Sequence, residues 1–269
     1  MASPRELPIG VFDSGVGGLT VVRALMERLP LEHIVYFGDT ARVPYGIKSI
    51  PTIEHFTGQI TDFLMERGVK MLIVACNTMA AVAVHEVARR AGNIPVLDVI
   101  DAGARAAVEA SRGGNIGVIG TPTTVNSNAY ARRMHALDPR IRVFSQACPL
   151  FVPLVEEGWL EHEVTRLTAR EYLKPVLAEG VDTLVLGCTH YPLLKPLLQD
   201  VVGPGIRLVD SAITTAEFAA AKLASLDLAN HGEVPARYAF NVTDIPLRFQ
   251  TIGERFLGRS LSQVTKVEW

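Results

Sequence analysis

Short runs of β-branched and other apolar residues recur along the chain with helix-length segments between them. That alternation is the signature of βαβ units, in which a mainly parallel sheet is covered by helices. Ile9 to Phe12, Ile34 to Phe37, Met71 to Ala75, Val96 to Val99, Ile116 to Ile119, Arg142 to Ser145, Thr183 to Leu186 and Arg207 to Val209 read as strands. They lack polar alternation, as strands buried on both faces do. Helical spacing is clearest where Ile53, Phe56, Ile60, Phe63 and Leu64 follow Pro51, a residue suited to a first helical turn. The segments after Asn77, Thr124, Glu161 and Ala212 also read as helices, whereas the tail after Glu233 carries little pattern. The expected fold class is α/β, and 269 residues accommodate either one or two packed units.

A weak internal repeat bears on that choice. Ile9-Gly10-Val11-Phe12-Asp13-Ser14 resembles Ile116-Gly117-Val118-Ile119-Gly120-Thr121, each a strand followed by a small or hydroxyl residue. A second strand follows each opening and ends in cysteine, 67 residues after Ile9 at Cys76 and 72 residues after Ile116 at Cys188. Two related lobes would each present one thiol at the carboxyl end of a strand, the edge where open α/β sheets bind ligands. Strand-to-helix turns are common in such chains, so coincidence is the competing explanation of the repeat.

Paired thiols suit one chemistry in particular. Inverting a stereocentre through a planar carbanion needs a group that takes the proton from one face and a second that delivers a proton to the other. Cysteine, with a reference pKa of about 8.5, exists as thiol or thiolate near neutrality, and its neighbours shift the balance. Asn77, Thr78 and Thr189 stand beside the two thiols as neutral donors. Asp13 and His190 are the available polar partners, able to relay a proton or, for Asp13, to bind an ammonium group. Each also has a structural reading: cysteines as core, Asp13 as the acceptor of an Asx-turn, His190 as a local cap. Cys148, in Gln146-Ala147-Cys148-Pro149, has no polar company and reads as packing.

Other chemistries find no support. Gly15-Val16-Gly17-Gly18-Leu19-Thr20 lacks the last glycine of a dinucleotide fingerprint, and no phosphate-loop lysine follows it. His85-Glu86-Val87-Ala88-Arg89 has arginine where a zinc-protease helix needs histidine, and the wide separation of Cys76, Cys188 and His190 carries no metal-ligand spacing. Lys plus Arg number 26 against 28 Asp plus Glu, a net charge of -2, which offers nothing to nucleic acid or an anionic membrane. An opening without a signal-peptide pattern and three cysteines at unpaired spacing point to a reducing, cytoplasmic setting.

Four motifs resemble those of the glutamate racemase family, within the cofactor-independent aspartate and glutamate racemases. They are Phe12-Asp13-Ser14-Gly15-Val16-Gly17-Gly18-Leu19-Thr20, Gly38-Asp39-Thr40-Ala41-Arg42-Val43-Pro44-Tyr45-Gly46, Ala75-Cys76-Asn77-Thr78 and Gly187-Cys188-Thr189-His190-Tyr191-Pro192. With Gly117 to Thr121 they cover roughly residues 8 to 215 in family order. The resemblance implies two pseudo-symmetric α/β lobes with the active site in the cleft between them: residues 1–97 plus 210–269, and 98–209. It implies interconversion of L- and D-glutamate for peptidoglycan synthesis, no pyridoxal phosphate, other cofactor or metal, and a homodimer. Carried over by motif, Cys76 and Cys188 are the proton donors and acceptors, Cys76 acting on the D and Cys188 on the L enantiomer. Asp13 and His190 assist the nearer thiol. Ser14, Pro44, Tyr45, Gly46, Asn77, Thr78, Thr121 and Thr189 contact substrate together with Asp13 and His190. Glu156 lies where similar enzymes carry an assisting glutamate, with Glu157 as the alternative.

Overall fold

A computed structural model describes residues 3–232, 234–261 and 263–268. In chain order, β1 (Ile9–Asp13), α1 (Leu19–Arg28), β2 (Ile34–Gly38), α2 (Ile50–Glu66), β3 (Met71–Val74), α3 (Asn77–Val82), α4 (Val84–Ala91) and β4 (Val96–Asp98) come first. Helix α5 (Val99–Ala110) leads into β5 (Asn115–Gly120), α6 (Pro122–Asn126), α7 (Ala129–Leu137), β6 (Arg142–Ala147), α8 (Phe151–Glu156), α9 (Glu163–Ala178), β7 (Thr183–Gly187), α10 (Lys195–Val202) and β8 (Arg207–Asp210). Helix α11 (Ser211–Ser225) then returns the chain to β9 (Tyr238–Val242), α12 (Pro246–Leu257) and β10 (Val264–Lys266).

The strands form two parallel sheets, ordered β10-β9-β2-β1-β3-β4 and β6-β5-β7-β8. The run β2-β1-β3-β4 has the same order as β6-β5-β7-β8, each strand displaced by four positions in sequence, so the internal repeat extends to topology. Register agrees as well. Phe12 pairs with Val74 and Ile119 with Leu186, and in each sheet the cysteine lies two residues beyond that pair. Every residue of β1, β3 and β7 is buried, which explains why these runs show no polar alternation. Helix α2 buries Ile53, Ile60, Phe63 and Leu64 as its spacing predicts, while Phe56 is only half-buried, beneath the Arg42 guanidinium.

Differences from the sequence reading have local causes. Strand β4 ends at Asp98 rather than Val99 because the Asp98 carboxylate caps α5, accepting from the amides of Ile100 and Asp101 at 2.9 Å. The helix expected after Asn77 is two helices meeting at Ala83, whose φ of -124° leaves the helical region. The helix expected after Thr124 begins earlier, at Pro122 with Thr121 as its cap, and breaks at Asn128, which is left-handed at φ 54°. Strands β9 and β10 were not anticipated; they widen the first sheet beyond β2.

Beneath the amino ends of the first sheet lies a buried ion pair. Lys70 Nζ is 2.5 Å from Glu32, with side-chain exposures of 1% and 2%. The same ammonium donates to the carbonyls of Arg5 and Leu228, and Glu32 accepts from the Asn230 amide. One ion pair thus fastens the start of the chain, the approach to β2 and the segment after α11. Among the described residues no helix is long and apolar enough to cross a membrane.

Candidate active site

The carboxyl ends of both sheets open onto one cavity of about 400 Å³. From the first sheet, Asp13 and Ser14 enter at the end of β1, Pro44, Tyr45 and Gly46 from the loop after β2, and Cys76, Asn77 and Thr78 after β3. From the second, Thr121 enters after β5, Glu156 from α8, and Cys188, Thr189 and His190 after β7. Each of these residues was expected from sequence, and the cavity collects them all. The two thiols occupy equivalent places, Cys76 at the position before α3 and Cys188 following β7 directly.

Their surroundings differ. The Cys76 thiol points to Ser14 Oγ at 3.6 Å, and Asp13 accepts from the Gly15 amide at 3.0 Å, an Asx-type turn. The other Asp13 oxygen, Oδ1, is buried without a hydrogen-bond partner. Cys188 Sγ lies 3.9 Å from His190 Nδ1, and His190 Nε2 lies 3.0 Å from Glu156 Oε1. Glu157 is exposed and does not line the cavity, so Glu156 is the carboxylate that meets the imidazole.

Hydrogen bonds between the lobes set the walls. Thr78 and Thr121 share one at 3.0 Å, Thr123 donates to the Gly46 carbonyl at 2.8 Å, and Tyr130 donates to Asn77 Oδ1 at 2.8 Å. With Oδ1 so engaged, Asn77 Nδ2 is left buried and unpaired. Tyr45 donates to Asp39, which also accepts from Thr243 at 2.9 Å. Gly17 is required by close approach, since a Cβ there would lie 2.2 Å from Thr189 Oγ1 and 2.6 Å from His190 Nδ1.

Residues 17–219 match the family model described as Asp/Glu/Hydantoin racemase. The chain is 67% identical over 266 residues to a glutamate racemase of Syntrophus aciditrophicus, covering 99% of this chain and 98% of that one. It is 64% identical over 263 residues to one of Neisseria meningitidis, covering 98% and 97%. The chain belongs to the glutamate racemase family. Its fold also matches the glutamate racemase of Francisella tularensis, solved in complex with D-glutamate, at TM-score 0.93 and 43% identity, covering 98% of both chains.

It is a racemase, an isomerase, and the groups around its two cavity thiols have shifted protonation equilibria. Burial pushes the Cys76 thiol up to about 12, and the nearby Asp13 charge adds to the effect, so this sulfur is a thiol at neutrality. Burial also raises the Asp13 carboxyl, against the charge of His190 and the amides of Gly15 and Gly18. For His190 burial opposes the charge, but hydrogen bonds and charges of Cys188 and Glu156 prevail and push the imidazole up to about 10. Glu156 is held below its ordinary value, burial being outweighed by the hydrogen bond and charge of His190 and by Arg248.

The imidazole supplies a pH test. Its reference value is 6.5 and folding raises it, so its contribution to stability is complete below pH 6.5 and is lost as pH climbs through about 10. Thermal melts across that window are expected to fall more steeply for the wild type than for His190→Gln. Parallel slopes would show that folding does not hold this proton.

Several residues that touch the site were not assigned to it from sequence, among them the lining residues Val43, Val152 and Pro153. Tyr130, on α7, orients Asn77; Gly17 lies in a quoted motif but gave no sign of its contact with His190. Phe256, on α12, sets its ring 5.0 Å from that of His190 at 80°. Of Tyr130, Gly17 and Phe256, Gly17 alone lies in a motif singled out from the sequence, the glycine-rich run after β1.

Proposed function

We propose that this racemase interconverts L- and D-glutamate by a two-base mechanism in which Cys76 and Cys188 work on opposite faces of Cα without a cofactor. The observation that carries this reading is the placement of the two sulfurs at equivalent strand ends in one cavity, each with its own polar helper. For L-glutamate, Cys188 as thiolate takes the Cα proton and the Cys76 thiol donates its proton to the other face, giving D-glutamate with Cys188 as thiol and Cys76 as thiolate. The reverse sequence starts from D-glutamate with Cys76 as base.

Buried groups that meet no protein partner support the substrate assignment. The unpartnered Asn77 Nδ2 donor suits a carboxylate oxygen, beside the Thr189 hydroxyl and the Thr78–Thr121 hydroxyl pair, and the unpartnered Asp13 Oδ1 suits an ammonium group or the Cys76 proton. His190, charged through its contact with Glu156, offers positive charge beside Cys188. Ser14, Pro44, Tyr45 and Gly46 complete the enclosure around the substrate. On this reading the D-glutamate formed supplies peptidoglycan synthesis and the enzyme works in the cytoplasm. A homodimer and the division into lobes 1–97 plus 210–269 and 98–209 belong to the same reading.

Incubation with L-glutamate in heavy water tests it. Loss of optical activity is expected together with deuterium at Cα and no added cofactor, and aspartate, one methylene shorter, should turn over more slowly. Purified protein that leaves both the rotation and the Cα proton unchanged would overturn the assignment.

A further inference from the structure

The His190–Glu156 contact is buttressed from the other lobe. Helix α8, which carries Glu156, is a short helix that ends in a Schellman-type turn: Gly158 N donates to the Val155 carbonyl at 3.0 Å and Trp159 N to that of Leu154 at 2.9 Å. Arg255, on α12, closes the same end. Its Nη1 donates to the carbonyls of Val155 at 3.1 Å and Glu156 at 3.0 Å. A cation at a helix carboxyl end also complements the helix dipole.

Gly158 makes that approach possible. Its φ of 80° is left-handed, and a Cβ there would lie 2.8 Å from the Arg255 guanidinium. The support is firmly seated, because α12 packs closely on α1; a Cβ at Gly253 would lie 2.7 Å from Leu19 Cδ1. The neighbouring Phe256 is 1% exposed and packs against the His190 ring. Two successive residues of one helix therefore address the two members of the same pair.

We propose that Arg255 is a positioning residue for the Cys188 half of the site: by fixing the end of α8 it holds the Glu156 carboxylate against His190. This rests on the reading that Glu156 and His190 serve Cys188. Arg255 touches neither thiol nor substrate space and acts only through Glu156.

The test compares Arg255→Ala, Arg255→Lys, Glu156→Gln and the double variant Arg255→Ala/Glu156→Gln. Racemisation is followed as kcat/KM across pH, well below each variant's melting temperature. The titratable groups facing His190 are Cys188, Glu156 and Asp13, with Arg248 acting on Glu156. Loss of the Glu156 contact lowers the pH at which His190 gives up its proton. Arg255→Ala should therefore lose about tenfold in kcat/KM, and its alkaline limb should move to lower pH, as for Glu156→Gln. Arg255→Lys should fall between wild type and Arg255→Ala, and the double variant should be within about twofold of Glu156→Gln.

A wild-type alkaline limb in Arg255→Ala, with a shifted one in Glu156→Gln, would overturn the role of Arg255 alone. Effects that multiply in the double variant would do the same, because they would show Arg255 acting by another route. A Glu156→Gln enzyme indistinguishable from wild type would remove the reading beneath the proposal and Arg255 with it.

Discussion

Replacing either Cys76 or Cys188 by alanine is expected to lower racemisation in both directions by about a thousandfold or more, the range in which a positioned acid or base contributes. The two losses should leave different residues of activity. In Cys76→Ala the Cys188 thiolate can still take the proton of L-glutamate, but nothing delivers one to the opposite face; returned from the same sulfur after exchange with solvent, deuterium enters L-glutamate without inversion. Cys188→Ala should label D-glutamate in the same way. Nuclear magnetic resonance of each enantiomer in heavy water distinguishes exchange from inversion. Either variant keeping racemisation within tenfold of wild type would rule out an obligatory pair of thiols. Cys148→Ala is the control, since that thiol is fully buried outside the cavity.

The largest expected effect on stability comes from Lys70→Met. It leaves the Glu32 carboxylate buried without its cation, a loss of about 3–5 kcal/mol. For a chain of this size the melting temperature should drop by about 5–10 °C. Adding Glu32→Leu removes the stranded charge and should recover part of the loss. It should not recover all of it, because the buried Asn230 amide then loses its acceptor, at about 1–3 kcal/mol for a buried group left unmade, and the partly buried Arg5 and Leu228 carbonyls still lack the donor that Lys70 supplied. Thermal melts by circular dichroism measure all three proteins. A single variant that melts with wild type would show that Glu32 finds water or a proton when Lys70 is gone.

Much of this architecture was readable because its signals are local. Cys76 and Cys188 end buried apolar runs that need no tertiary information to be seen, and the likeness of the residues around Ile9 and Ile116 put them in corresponding places. The order β2-β1-β3-β4 against β6-β5-β7-β8 is the same statement made in three dimensions. Glu156 and Glu157 were inseparable for an equally physical reason. Adjacent residues at a helix end differ only in the direction each side chain takes, and backbone phase turns Glu156 inward and Glu157 outward.

The tail was opaque because its cues lie elsewhere in the chain. In β9, Tyr238-Ala239-Phe240-Asn241-Val242, a polar residue interrupts the apolar run; Asn241 is buried there because its amide donates to the Tyr36 carbonyl at 3.1 Å. That partner lies some two hundred positions earlier. Strand β10 has three residues, and as an edge strand it buries too little to leave a pattern. Since α12 sits between these strands, the contacts of Arg255 and Phe256 with the Cys188 half of the site were equally hidden.

The shared strand order has a consequence for how such an enzyme treats its two reactants. Enantiomers are related by reflection, whereas a repeated fold can relate its halves only by rotation, so a pair of matching lobes cannot receive left- and right-handed molecules in identical ways. The thiols accordingly have unlike company, a carboxyl group on one side and an imidazole with its glutamate on the other. Enantiomers in water nonetheless have equal free energies, and the Haldane relation then forces equal kcat/KM in the two directions. All the handedness of the protein must therefore appear in how that common ratio divides between turnover and saturation.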